Sequence, residues 1–107
     1  MELVEYLFED GKSPFAKWFD DLPAIAAAKV RVSLLRMEQG NLSNAKSVGQ
    51  GVQETRIDFG PGYRVYFGRD GERLIILLAG GTKRRQQDDI ENAKARWQDY
   101  KRRKKES

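Results

Sequence analysis

Neither cysteine nor histidine occurs in this 107-residue sequence. The first absence excludes disulfides, a thiol nucleophile and thiolate metal ligation. The second removes the commonest acid–base side chain and the commonest metal ligand. Long apolar runs are missing as well: the longest, Leu74 to Ala79, has six residues, against the roughly 20 needed to cross a bilayer. The N-terminal Met1-Glu2-Leu3-Val4-Glu5 has no basic-then-apolar signal pattern. The expectation is a cytoplasmic protein with no membrane partner. Its length suits one domain, residues 1–107, and its chemistry is confined to carboxylates, Lys, Arg, Tyr, Ser and Thr.

Charge is unevenly placed. Residues 83–106 hold ten Lys/Arg and five Asp/Glu, whereas residues 1–82 hold ten and eleven. The whole basic excess is therefore C-terminal and includes a basic tail at about 101–107, which points to nucleic acid or an anionic surface as partner.

Leu3 to Phe8 reads as a first strand, closed by the turn-forming Asp10-Gly11. Ser13 is placed as an N-cap with Pro14 at the first helical position, and Phe15, Trp18, Phe19 and Leu22 form one apolar face. Pro23 starts a second helix running to about Gln39, with Ile25, Ala28, Val32 and Leu35 as its stripe and Val30, Leu34 and Met37 widening it. Polar Asn41 to Gln50 reads as a surface loop. Then the period changes to two. Val52–Phe59, Tyr63–Arg69 and Arg73–Ala79 read as an antiparallel meander turned by Gly60-Pro61-Gly62 and Asp70-Gly71. A last helix covers about Gln86 to Arg103, with Ile90, Ala93, Trp97 and Tyr100 on one face. The fold class is α+β: strand, helical hairpin, three-stranded meander, C-terminal helix.

A three-residue first turn and a two-residue second turn set the register. They place Ile57, Phe59, Tyr63, Val65, Phe67, Leu74 and Ile76 against the hairpin. Glu54, Arg56, Asp58, Arg64, Tyr66, Ile75, Leu77 and Ala79 then share an open face that Lys83 reaches, with Arg84 and Arg85 beside it. Guanidinium forks suit phosphate and a tyrosine ring suits base stacking. The same residues also read as Asp58–Arg64 and Glu54–Arg56 ion pairs on a solvated face. Lys83-Arg84-Arg85 reads equally as a solvated helix entrance, and Trp97 with Tyr100 as core.

Gly51 to Phe67, with its Glu-x-Arg-Ile and Tyr-Arg-Val-Tyr-Phe strands, together with Leu74 to Lys83 and Gln86 to Ala93, resembles the RelE/ParE toxin superfamily. The nearest likeness is to its HigB-like, phage-type addiction module killer branch. The resemblance implies the toxin of a type II toxin–antitoxin pair: an endoribonuclease that cuts mRNA on the ribosome and halts translation, using no metal or cofactor. A ribose 2′-hydroxyl would attack the adjacent phosphate. It implies a cognate antitoxin, a helix-turn-helix protein through which operator DNA would be bound.

By the same resemblance Arg64 and Arg56 would neutralise the phosphate, and Lys83 would be the acid–base group with Glu54 or Asp58 as the competing base. Arg84, Arg85 and Tyr66 would bind RNA. The likeness leaves two other outcomes open, a ParE-like inhibitor of DNA gyrase acting through protein contacts and a degenerate RNA-binding member. Several relatives have a histidine or tyrosine near the last helix that assists cleavage. This chain has no histidine, and its Tyr100 lies further along the helix.

Overall fold

The computed structural model describes residues 1–106. Its elements are β1 (Glu2–Glu5), α1 (Pro14–Asp20), α2 (Ala24–Glu38), β2 (Ala45–Gly49), β3 (Val52–Ile57), β4 (Tyr63–Asp70), β5 (Leu74–Thr82), a 3-10 turn at Lys83–Arg85 and α3 (Gln86–Glu106). The Ser13 hydroxyl accepts from the Ala16 N–H at 2.9 Å, and Pro14 follows at the first helical position, so α1 begins where its capping chemistry dictates. The strands form one sheet in the order β1-β5-β4-β3-β2. The β1 strand runs parallel to β5 and the remaining pairs are antiparallel.

One strand departs from the expected loop. Residues 45–49 pair with β3 as an edge strand, joined to it through Gln50 and Gly51, both at positive φ (56° and 84°), as a two-residue type I′ hairpin requires. Exposed Lys46 and Ser47 carry no hydrophobic period, and the backbone ladder to β3 places them in the sheet.

Register also departs, with different consequences at the two turns. Between β3 and β4, Ile57 faces Tyr63 and Arg56 faces Arg64, two residues from the expected pairing, so every side chain keeps its face. Between β4 and β5, Asp70 pairs with Leu74 and Phe67 with Leu77. That shift is odd and turns the first half of β5 over. Ile75 and Leu77 join Phe15, Val30, Val65 and Phe67 under the helical hairpin, while Ile76 and Leu78 join Tyr66 and Trp97 on the opposite side. An irregularity between Tyr66 and Phe67 of β4 restores the expected parity beyond Leu78, and Ala79 lies where its position implied.

The expectation of an open second face is overturned. The α3 helix lies across it, burying Ala93 and Trp97 on Val52, Tyr66, Ile76 and Leu78, which makes three layers with an apolar core on each side of the sheet. The indole needs flat backbone beneath it. A Cβ on Gly68 would lie 2.5 Å from Trp97, and one on Gly51 2.6 Å away. Trp97 is thus core, and the apolar face of α3 (Ile90, Ala93, Trp97, Tyr100) is accounted for by packing.

The stripe on α2 is corrected too. Ala26, Val30 and Met37 are the buried positions, while Ile25, Val32 and Leu35 are 64 %, 47 % and 50 % exposed. A helix apolar on two sides offers two candidate stripes, and the rotation set by docking chose the one that carries Ala26, Val30 and Met37. The C-terminal basic run is likewise no free tail. The α3 helix continues to Glu106, Arg102 and Arg103 pair with Asp99, and Lys104 reaches Asp70 at 2.6 Å. Ser107, the last residue of the expected tail, lies outside the described residues.

Candidate functional site

The cationic corner is built where β3, β4 and the end of β5 meet. Arg56 on β3 stands opposite Arg64 on β4, and Arg64 stands opposite Gly81 on β5. Gly62, at φ 79°, turns its carbonyl toward the far edge of this corner. There it accepts from Arg64 Nη1 at 3.2 Å and from the backbone N–H of Lys83 at 3.0 Å. One carbonyl therefore ties Arg64 to the residue expected to act with it.

Accessibility divides the set. Arg56, Lys83, Arg84 and Arg85 are exposed, whereas Arg64 is 4 % exposed and Glu54 and Tyr66 are completely covered. Arg64 Nε lies 3.5 Å from Glu54 Oε1, and the other Glu54 oxygen accepts from Gln86 Nε2 at 2.9 Å. Lys46 lies 3.9 Å from the same carboxylate. Arg64 is thus a buried cation balanced by a buried carboxylate beneath the start of α3, where removing either partner strands the other charge.

This corrects three expectations. Arg64 does not lie on an open face. Tyr66 cannot stack on a base, because its ring is under α3. Glu54 cannot reach a ribose, because its side chain is completely buried. Asp58, expected opposite Arg64, is instead exposed beyond the end of β3, and Arg56 occupies that opposing position. The reason is the two-residue register shift together with the docking of α3.

Two further residues complete the cluster, and neither was expected at the site from the sequence. Gln86 is one. Asp89 is the other, and it depends on Gly81: a Cβ there would lie 1.9 Å from Asp89 Oδ2, so only glycine lets the carboxylate sit against β5. Burial raises the Asp89 carboxyl above its usual range, opposed by Arg85. Burial, followed by the negative charges of Glu54 and Asp89, pushes the Tyr66 hydroxyl well above its ordinary value, which keeps it protonated. The adjacent Gly80-Gly81 pair was the available signal, since close approach on both faces of a strand demands residues without side chains. Gly80 serves the other face, where Trp18 would lie 2.0 Å from an added Cβ.

Beside Arg56 a cleft of about 370 Å³ opens between α2, residues 41–44 and the outer edge of β3. Lys29 and Arg36 line it from α2, and Arg56 and Asp58 line it from β3 and the turn that follows.

A five-stranded sheet with a helical hairpin on one side and a C-terminal helix on the other, carrying arginine on adjacent strands and lysine after Gly-Gly, has the architecture of the RelE/ParE-type toxin-like domains. Residues 17–98 match the family described as "Phage derived protein Gp49-like (DUF891)", and the chain belongs to that family, which is of this toxin-like type. An uncharacterized protein of Haemophilus influenzae is 43 % identical over 81 residues, covering 75 % of this chain and 82 % of the relative. Among the described residues no helix is long and apolar enough to cross a membrane.

Proposed function

We propose that this chain is the toxin half of a toxin–antitoxin pair and acts as an endoribonuclease on ribosome-bound mRNA. Family membership supports the toxin role and pairing with an antitoxin. The nuclease reading rests on one observation: two exposed cations, Arg56 and Lys83, flank a corner whose buried Arg64 fixes the backbone between them.

In this reading phosphate oxygens meet Arg56 and Lys83. As the ribose 2′-hydroxyl attacks the adjacent phosphorus, a further negative charge develops on the pentacoordinate phosphoryl group, and fixed cations stabilise that state more than the ground state. The bond to the 5′-oxygen breaks, leaving a cyclic phosphate on one product and a 5′-hydroxyl on the other. Lys83, supported by Arg84 and Arg85, donates to the leaving oxygen. Exposed Asp58 is the carboxylate left to accept the 2′-hydroxyl proton. Arg64 acts as a positioning residue, since it holds Gly62 and through it Lys83. The antitoxin would bind operator DNA, and the work of this chain would be on the ribosome.

Induced expression followed by mapping of RNA 5′ ends in translating cells tests the proposal. Cuts inside codons that carry 5′-hydroxyl ends are the expected result. Growth arrest with intact mRNA and accumulating DNA breaks would replace it with inhibition of DNA gyrase.

A further inference from the structure

The cleft beside Arg56 arises because two chain segments diverge. The β2 strand begins at Ala45, opposite Thr55, so Arg56 and Ile57 have no strand on their outer side, and residues 41–44 swing away to meet α2. The resulting space of about 370 Å³ lies at the lower end of small-ligand sites, about 300–1,000 Å³. Its charged lining is three cations, Lys29, Arg36 and Arg56, against one carboxylate, Asp58. Among the described residues no carboxylate pairs with Arg36 or Arg56, and Lys29 lies 5.5 Å over the Phe59 ring. Asn41 and Asn44 supply amides. The Asn41 carbonyl oxygen already accepts from the Ser43 N–H and hydroxyl, so the NH₂ is the group it has to offer a ligand.

We infer that this cleft binds one nucleotide of single-stranded RNA, the one adjoining the phosphate that is cut. The inference rests on the nuclease reading, because Arg56 belongs to both places. It faces Arg64 across the ladder and also walls the cleft, so a strand whose phosphate lies on Arg56 has its neighbouring nucleotide over the opening. Arg36 and Lys29 meet the next phosphate, and the Asn41 and Asn44 amides face a base edge, where hydrogen bonds discriminate between bases. The cleft thereby adds sequence preference to a corner that recognises only backbone charge.

The test uses the full chain on ribosomes programmed with defined mRNAs. The Lys29→Ala/Arg36→Ala double variant should raise KM by about tenfold and relax the base preference next to the cut. Arg56→Ala should lower the rate at saturation as well. Lys12→Ala/Lys17→Ala, remote from the cleft, controls for loss of net charge. Circular dichroism establishes that the exposed substitutions leave the fold unchanged.

Wild-type cutting with unchanged KM and base preference in the double variant overturns the cleft assignment and leaves the nuclease reading standing. Absence of cutting by the wild type overturns both. As a second measurement, a 2′-O-methyl trinucleotide should shift the amide resonances of Arg36, Asn41 and Asn44. If an acidic helical peptide shifts them and the trinucleotide does not, the cleft is a protein-docking surface and the inference is wrong.

Discussion

Arg56 and Arg64 stand directly opposite one another on adjacent strands, yet one is exposed and the other is 4 % exposed. Like charges in that position repel, and the fold tolerates them because Glu54 neutralises the inner one. Arg56 is left without a carboxylate among the described residues. The outer cation is available to a ligand because the inner one is held by the protein.

Substitution at Arg64 should therefore report on folding as well as activity. Arg64→Ala strands the Glu54 carboxylate and should destabilise the protein by about 3–5 kcal/mol, the range for breaking a buried pair. Arg64→Lys keeps the charge and should lose less. Urea unfolding of the two variants is the check. Equal, wild-type stability in both would show that the pair carries no structural weight.

Glycine beneath the tryptophan is a separate requirement. Gly68→Ala places a methyl group 2.5 Å from the Trp97 ring and should cost about 1–3 kcal/mol by overpacking. Gly68 is not among the positive-φ positions, so the loss is steric. The Gly68→Ala/Trp97→Leu double variant should show non-additive loss by denaturant titration, because removing the indole removes the clash. Strict additivity would contradict the contact.

Asp89 supplies a pH-dependent prediction of unusual sign. Burial raises its folded pKa, so ionisation opposes folding. Stability falls as pH rises through the interval between the unfolded and folded values, then stays level. Asp89→Asn removes that loss. It should melt higher than wild type at pH 7 and close to it at pH 3. Calorimetry giving the reverse order would sink the assignment.

Asp70 and Asp99 behave oppositely. Hydrogen bonds from Lys104 and Tyr100 hold the Asp70 carboxyl below its usual range, and those from Arg103, Tyr6 and Arg102 depress Asp99. Each contributes stability above its unfolded pKa that is lost as pH falls through the folded value. Hydrogen exchange should show the last turns of α3 loosening in acid before the sheet does. Asp70→Asn should weaken the same turns at pH 7, while Tyr100, whose hydroxyl is raised to about 12, stays protonated throughout.

Much of the fold was legible because local chemistry and global packing agree in it. The Ser13-Pro14 cap and the helix break at Pro23 stand where their signals place them, and the three meander strands and the final helix form at the expected places with ends that differ by one to three residues. The failures share a cause. Edge strand β2 presents Lys46 and Ser47 to solvent, so it lacks the alternation that marks a half-buried strand. The first half of β5 turned over because the turn after Asp70 is one residue longer than its Asp-Gly signal implied, and period-two reasoning reverses on an odd slip. At the site, Arg56 and Lys83 remained accessible, but Arg64, Tyr66 and Glu54 went under a helix whose docking depends on Gly68 and Gly51. Glycine marks space by having no side chain, and the ring that fills the space lies far along the chain.

The nuclease account is tested most directly by incubating the purified protein with programmed ribosomes and following the mRNA. It predicts cutting within the bound codon, a cyclic phosphate on one fragment and a 5′-hydroxyl on the other, with the rate falling about 10²–10³-fold in Arg56→Ala and in Lys83→Ala. Intact mRNA with the wild-type protein, or cutting that persists undiminished in both variants, would contradict it.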